Sequence, residues 1–161
     1  MVCNNKESHS GTNKKNKSKI KWLSMHEGLK QSKLQKKPIF IDLYAAWCRY
    51  CKIMEHTTFS DKKIIDALNK KFISIKIYVD RKTKPFMYNN KKTTVREFTA
   101  RAGVRGLPTV LFLDKNQKLV TALPGYLQAE ALLPVFNYMS KECYAKKIMY
   151  KDYVTGKVKC N

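Results

Sequence analysis

Acidic residues are scarce in this sequence of 161 residues. Twelve Asp and Glu stand against 33 Lys and Arg, which gives a formal net charge of +21. Such a surface attracts anions, nucleic acid or acidic membrane faces. However, Lys and Asn recur along the whole chain, and there is no zinc-finger spacing, RNP-like motif or basic-region heptad. The charge therefore indicates a general compositional bias, and we expect no specific nucleic-acid partner.

Long apolar runs are also missing. No stretch reaches the roughly 18 apolar residues of a membrane-spanning helix, so at most a peripheral association with a membrane is expected. The N-terminal segment is rich in Lys, Asn and Ser, and it lacks the apolar region of a signal peptide. The length predicts one domain with tails, large enough to form a hydrophobic core.

Histidine and cysteine are few, which limits the possible metal sites. The cysteines are Cys3, Cys48, Cys51, Cys143 and Cys160, and the histidines are His9, His26 and His56. This odd number of cysteines is not the pattern of a disulfide-rich scaffold. Cys48 and Cys51 form a C-x-x-C, which alone fits half of a zinc site, two buried thiols or a redox pair. Zinc needs two more ligands and only His56 is near in sequence, so we expect no metal site.

The hydrophobic pattern predicts strands alternating with helices. The predicted strands are 19–23, 39–45, 72–79, 110–113 and 118–123. The predicted helices are 24–36, 48–58, a piece after Ser60 and Asp61, 95–102, 128–139 and a short one over 140–150. The first of these is expected to bury Met25, Leu29 and Leu34, and the third to bury Ile64, Ile65 and Leu68. Residues 80–92 are expected to form a loop. Alternation of the first three strands with helices predicts parallel pairing, and the last two strands predict an antiparallel hairpin.

This order predicts an α/β fold with a mixed central β-sheet flanked by helices on both faces. The predicted organisation is a disordered basic segment at 1–18, one domain at 19–150 and a basic tail at 151–161. The central strand 39–45 contains one anomaly, Asp42, because a buried carboxylate is costly unless it is paired or protonated. The strand ends at the C-x-x-C, where helix N–H groups favour a Cys48 thiolate and Arg49 adds a positive charge.

Two motifs carry a resemblance to a known family. The Trp-Cys-Arg-Tyr-Cys-Lys of residues 47–52 and the Gly-Leu-Pro-Thr of residues 106–109, in this order of elements, resemble the thioredoxin superfamily over about residues 20–140. With Asp42, Glu55 and the Thr-Phe-Ser-Asp of residues 58–61, the chain looks most like the C-terminal thioredoxin-like domain of DsbD and like SoxW-type thioredoxin-related proteins of the bacterial cell envelope. The dipeptide between the cysteines is neither Gly-Pro nor Pro-His, so the resemblance does not imply a direction of electron flow.

The resemblance implies a thioredoxin fold and a thiol–disulfide oxidoreductase. Cys48 would be the exposed attacking nucleophile and Cys51 the buried resolving thiol. Asp42 would exchange a proton with Cys51, and burial would raise its pKa into a useful range. Glu55, four residues after Cys51, would be a second acid near the thiols, although an ordinary solvated glutamate also fits its position. Two acids would oppose Arg49 by raising thiolate pKa values.

Substrate-binding residues are implied in the same way. Pro108 matches the cis-proline of the superfamily, and Leu107 before it would offer its main chain to an extended substrate. Trp47 would shield the first sulfur, and Arg49 and Tyr50 would face the partner.

The resemblance implies no bound cofactor beyond the redox-active disulfide. The expected partners are protein disulfides and an upstream dithiol electron donor, and the protein is expected to be a monomer in the periplasm or cell envelope, with the cytoplasm as the alternative.

The sequence fits more than one role for the remaining cysteines and for the protein as a whole. Cys143 and Cys160 are either free or bridged, and a bridge would add about 3 kcal/mol in the chain-entropy estimate and favour an oxidising compartment. Cys3 is a candidate for the lipidated first residue of a mature lipoprotein. The alternative functions are a non-catalytic thioredoxin-like protein-binding module and a basic nucleic-acid-binding protein.

Overall fold

The computed structural model describes residues 18–161. The strands are β1 (Trp22–Leu23), β2 (Ile39–Tyr44), β3 (Ile73–Tyr78), β4 (Phe86–Tyr88), β5 (Lys91–Thr93), β6 (Thr109–Leu113) and β7 (Leu119–Pro124). The helices are α1 (Met25–Gln35), α2 (Arg49–His56), α3 (Lys62–Lys71), α4 (Val95–Arg101), α5 (Ala129–Ser140) and α6 (Tyr150–Val154), with a 3₁₀ turn at Thr58–Ser60. The predictions for Cys3 and for a disordered N-terminal segment fall on residues outside this range, apart from Ser18.

The main sheet has the strand order β1-β3-β2-β6-β7. Strands β1 and β2 both pair with β3 in parallel, whereas β6 pairs antiparallel with β2 and with β7. The prediction of a mixed sheet is confirmed, and so is the antiparallel hairpin at its end. Strand β2 lies in the middle, so the C-x-x-C follows the most enclosed strand of the sheet.

Side chains of β2 alternate between the two faces of the sheet, as the period of a strand requires. Phe40 packs with α3 and α5 through Leu68 and Phe136, in one hydrophobic cluster. Ile41 packs with α1 and α4 through Leu29 and Phe98, in a second cluster on the opposite face. Helices on both faces are thus confirmed. Asp42 is two residues after Phe40 and therefore shares the face that α3 and α5 cover.

Side chains cap the starts of three helices. Ser24 and Thr94 each form a capping box with a glutamate three residues later, and Asp61 accepts two backbone N–H bonds at the start of α3. Ile64, Ile65 and Leu68 are buried as predicted. The burial predicted for Leu34 is wrong, because this side chain is 68% exposed near the end of α1.

The loop predicted at 80–92 contains a β-hairpin, formed by β4 and β5. Phe86 and Tyr88 pack on Phe98 of α4, with ring centroids 5.9 and 5.1 Å away. Asn89 and Asn90 turn the chain with φ of 50° and 60°, a conformation that Asn tolerates and that suits two-residue hairpins. The surrounding lysines hid this signal, since they made the segment resemble a solvated loop.

The C-terminal segment also differs from its prediction. Residues 141–147 form turns instead of a helix, and α6 lies in the segment expected to be a tail. Cys160 is bonded to the fully buried Cys143, so the end of the chain is tied to the end of α5. Tyr138 of α5 packs on Tyr150 and Tyr153 at 5.3 and 5.5 Å, which holds α6 in place. Among residues 18–161, no helix has the length and apolar character needed to cross a bilayer.

Candidate active site

The C-x-x-C lies where β2 gives way to α2. Cys48 is the N-cap residue of α2, and its Sγ accepts a hydrogen bond from the backbone N–H of Cys51 at 3.1 Å. The Cys48 carbonyl accepts a bond from the Lys52 N–H at 3.3 Å. Free N–H groups at a helix start favour negative charge, and here one of them points at a sulfur.

Cys48 and Cys51 are joined in a disulfide, with their Cα atoms 5.3 Å apart. Only 5% of Cys48 and 3% of Cys51 are exposed. The prediction that Cys48 is exposed is therefore wrong for this form of the protein. The reason is packing, because the partly buried Tyr44, Val79 and Leu107 lie against the two cysteines.

Leu107 and Pro108 form the facing wall, and the peptide bond between them is cis. Leu107 packs on the disulfide and Pro108 is buried. The Pro108 carbonyl accepts a bond from the Gly125 N–H at 2.8 Å, and the Thr109 hydroxyl donates to the Gly106 carbonyl at 2.7 Å. Within residues 18–161, the main-chain N–H and C=O of Leu107 have no backbone partner.

The aromatic side chains of the motif point outward. Trp47 is 71% exposed and Tyr50 is 59% exposed. The ring of Tyr50 lies 6.4 Å from that of Tyr126, whose hydroxyl is 3.0 Å from the Thr57 hydroxyl. Arg49 is exposed between them in sequence. These residues form the rim of the site, whereas Tyr44, Val79 and Leu107 cover the sulfurs.

The segment that follows β3 holds the turn before Trp47 through hydrogen bonds. The Ala46 N–H donates to Asp80 Oδ2 at 3.0 Å, and the Val79 N–H donates to the Tyr44 carbonyl at 2.9 Å. The segment after β3 therefore both anchors the turn and covers the disulfide. Sequence reasoning missed Val79 and Asp80 because they follow the end of a strand without any motif.

Two acids and a lysine form a cluster between β2, β3 and α2, and two of these elements, β2 and α2, flank the disulfide. Asp42 is 2% exposed, and its Oδ2 lies 3.7 Å from Nζ of Lys76. Lys76 also donates a hydrogen bond to Glu55 Oε2. Glu55 and Cys51 are four residues apart on α2, so they share one face of the helix. The structure thus pairs Glu55 with Lys76, while the Glu55 side chain stays 36% exposed.

The carboxyl of Asp42 has an unusual affinity for protons. Burial is the main cause that raises its pKa, from an ordinary 3.8 to about 7, and the Glu55 charge adds to this. Lys76 lowers the pKa of Asp42 through its positive charge, without outweighing burial. Asp42 therefore exchanges its proton close to neutral pH.

Lys76 is a further site residue that sequence reasoning missed. Its side chain is only 9% exposed, and its ammonium lies 4.7 Å from the ring centroid of Tyr44 and 5.3 Å from that of Trp22. The available signal was a lysine between Ile75 and Ile77 in an otherwise apolar strand. Asp42 is the same kind of anomaly in β2, a charged residue in an apolar strand. The register of the two strands places Lys76 opposite Asp42.

The arrangement suits two-electron sulfur chemistry. It provides two sulfurs able to bond, a backbone N–H at the first, and a carboxyl that titrates near neutrality. Among the residues that the structure describes, no three His, Cys, Asp or Glu side chains are grouped to hold a metal ion.

Comparisons with known proteins agree with this arrangement. The thioredoxin-like domain family matches residues 25–140. The thiol:disulfide interchange protein DsbD of Pseudoalteromonas atlantica is 33% identical over 99 residues, which cover 60% of this chain but 15% of that protein. This chain thus spans less than a fifth of the length of that relative, and the match does not extend to the rest of it.

Solved structures show the same fold. A DsbH oxidoreductase superposes with a TM-score of 0.61 at 19% identity, covering 85% of this chain and 95% of that one. The oxidised C-terminal domain of Neisseria meningitidis DsbD gives 0.53 at 20% identity, covering 70% and 90%. The predicted resemblance to the DsbD C-terminal domain and the predicted thioredoxin fold are confirmed. The chain belongs to the thioredoxin-like domain family.

Proposed function

We propose that the protein is a thiol–disulfide oxidoreductase that reduces or exchanges disulfides in other proteins through Cys48 and Cys51. The observation that carries the proposal is the Cys48–Cys51 disulfide at the start of α2, packed against Leu107 and preceded by the strand that holds the proton-exchanging Asp42. The match to DsbD, whose name describes thiol:disulfide interchange, supports the same chemistry.

The reaction begins with the reduced form. The Cys48 thiolate attacks one sulfur of a substrate disulfide, so a Cys48–substrate bond forms and the second substrate sulfur leaves as a thiolate. The Cys51 thiolate then attacks Sγ of Cys48, which forms the intramolecular disulfide and releases the first substrate sulfur. Two electrons have moved from the cysteine pair to the substrate, and an upstream dithiol returns them by the same exchange.

Three features favour the Cys48 thiolate over the thiol. Cys48 stands at the N-cap of α2, the Cys51 N–H is directed at its sulfur, and Arg49 follows it. Each lowers the free energy of a negative charge at this sulfur. Asp42 and Glu55 act in the opposite direction, and Lys76 moderates both through its ion pairs.

Asp42 is proposed to take the proton of Cys51 during the second step. A base works best when its pKa lies near the working pH, and the pKa of Asp42 is about 7. Glu55 shares the helix face of Cys51 and binds the same lysine as Asp42. We therefore assign Glu55 and Lys76 to tuning the charge of this carboxyl.

The substrate is proposed to lie in extended form against Leu107. The free N–H and C=O of this residue are suited to pair with a strand of the partner. The exposed Trp47 and Tyr50, with Arg49 between them, would contact residues on either side of the substrate disulfide. Pro108 holds this segment beside the sulfurs.

The proposed setting is the periplasm or cell envelope. Disulfides persist in oxidising compartments, and the buried Cys143–Cys160 bridge is a second disulfide outside the redox site. We place the thioredoxin-like domain at residues 19–150 and expect a monomer, with residues 151–161 held to it through Cys160.

The test is the reduction of insulin disulfides by dithiothreitol in the presence of the protein. We expect acceleration by the wild type, none by Cys48→Ser, and full acceleration by a Cys143→Ala/Cys160→Ala control. Full activity of the Cys48→Ser protein would overturn the proposal. A non-catalytic binding module would show no acceleration in any form.

A further inference from the structure

Three exposed arginines lie on three different segments that flank the disulfide. Arg49 opens α2 directly after Cys48, Arg81 follows β3, and Arg105 precedes the Leu107 segment. All three are exposed. In the part of the chain that the structure describes, none of them forms an ion pair.

Sequence neighbours place Arg49 and Arg105 near the redox site, and a chain of contacts places Arg81 there. Leu107, two residues after Arg105, packs on Cys48 and Cys51. The guanidinium of Arg81 lies 4.2 Å from the ring centroid of Tyr78, which packs at 5.1 Å on Tyr44. Tyr44 itself packs against the disulfide. The three arginines therefore lie on segments at the same end of the sheet as the disulfide.

The exposed carboxylate of Asp80 offsets one of these three positive charges. Asp42 is buried, Glu55 is bound to Lys76, and Asp80 accepts the Ala46 N–H. Elsewhere the basic surface is partly compensated, by the pairs Lys62–Asp66, Lys115–Glu142 and Lys157–Asp152. The face around the disulfide thus keeps a net positive charge.

We propose that this face, which we call the arginine rim and define as Arg49, Arg81 and Arg105 with the exposed Trp47 and Tyr50, docks protein segments that carry Asp or Glu within a few residues of their disulfide. Opposite charges within a Debye length, about 10 Å at 0.1 M salt, raise the association rate and orient the partner. The two aromatic rings supply contact area between the charges. The inference rests on the proposed function for the disulfide that the segment carries.

The test uses three synthetic disulfide peptides with one common ring and flanks of Asp/Glu, Ser or Lys. The second-order rate of their reduction by the reduced protein is measured at low and high NaCl. We expect the acidic peptide to react at least about tenfold faster than the basic one at low salt, because steering by charge reaches this size. The preference should shrink toward unity at about 0.5 M NaCl, where the Debye length falls to a few ångströms.

Matched variants separate the rim from the net charge. Arg81→Glu/Arg105→Glu should abolish or reverse the preference for the acidic peptide. Lys33→Glu/Lys70→Glu makes the same change of charge on exposed residues near the starts of β2 and β3, roughly 16 Å or more from the disulfide end of those strands, and should leave the preference intact.

Equal rates for the three peptides would overturn the inference, and so would an equal effect of the two double variants. Both results leave the proposed function standing. Reduction of none of the peptides would instead contradict the proposed function. In that case, the preference for the acidic peptide is measured from the binding of the same peptides, labelled, by fluorescence anisotropy. Equal affinities for the three peptides would also overturn the inference.

Discussion

Lys76 lies directly opposite Asp42 in the parallel pairing of β2 and β3, with its ammonium 3.7 Å from the Asp42 carboxylate. The same ammonium binds Glu55 on α2. One cation thus serves two acids, and the cluster carries one net negative charge when both are ionised. A proton on Asp42 makes it neutral, which agrees with a pKa of about 7.

The first prediction concerns how Asp42 affects stability at different pH values. Its pKa is 3.8 in an ordinary setting and about 7 in the folded protein, so folding binds a proton between these values. Its contribution is fully present below pH 3.8 and is lost as pH rises through 7, by up to about 4 kcal/mol. The free energy of unfolding of Asp42→Asn should therefore increase relative to that of the wild type as pH rises from 5 to 8. Urea unfolding followed by circular dichroism measures this difference.

The second prediction concerns the partner of Asp42. Lys76→Met should destabilise the fold by about 3 kcal/mol at pH 8, because it leaves a buried carboxylate unpaired. The loss should be smaller at pH 5.5, where Asp42 accepts a proton instead. Asp42→Asn/Lys76→Met should recover most of the stability at pH 8. A Lys76→Met loss that is the same at both pH values would contradict the pairing.

The third prediction concerns the rate of the second exchange step. If Asp42 takes the proton of Cys51, Asp42→Asn should slow release from the mixed disulfide by about tenfold to a hundredfold at neutral pH. The wild-type rate of this step should rise with pH around 7, and the variant should lose this rise. Rapid mixing of the reduced protein with excess disulfide peptide, followed by acid quench, measures the decay of the Cys48 mixed disulfide, and an unchanged pH profile in the variant would remove Asp42 from the mechanism.

The fourth prediction concerns the second disulfide. Cys143→Ala/Cys160→Ala opens a bridge between residues 17 apart, which should cost about 3 kcal/mol in unfolding free energy. Insulin reduction by the folded variant should stay at the wild-type level, since the bridge is not in the redox site. Loss of activity without loss of stability would show that this bridge takes part in the exchange.

Much of the site was predictable because its residues break a local pattern. Asp42 stands out in an apolar strand, the C-x-x-C follows that strand, and Glu55 is one helical turn beyond Cys51. Lys76 carries the same anomaly in β3, but its role depends on the register between two strands, which no local pattern specifies. The burial of Cys48 was missed for a similar reason, because Val79 and Leu107 cover it from distant parts of the chain.

The most direct measurement of the central claim is the capture of a mixed disulfide. Cys51→Ser removes the resolving thiol, so a disulfide peptide mixed with the reduced variant should remain bound through Cys48. Mass spectrometry should show one peptide added, located on Cys48 after digestion, and Cys48→Ser/Cys51→Ser should show none. The absence of an adduct on Cys48, or an adduct on Cys143 or Cys160 instead, would contradict thiol–disulfide exchange through the Cys48–Cys51 pair.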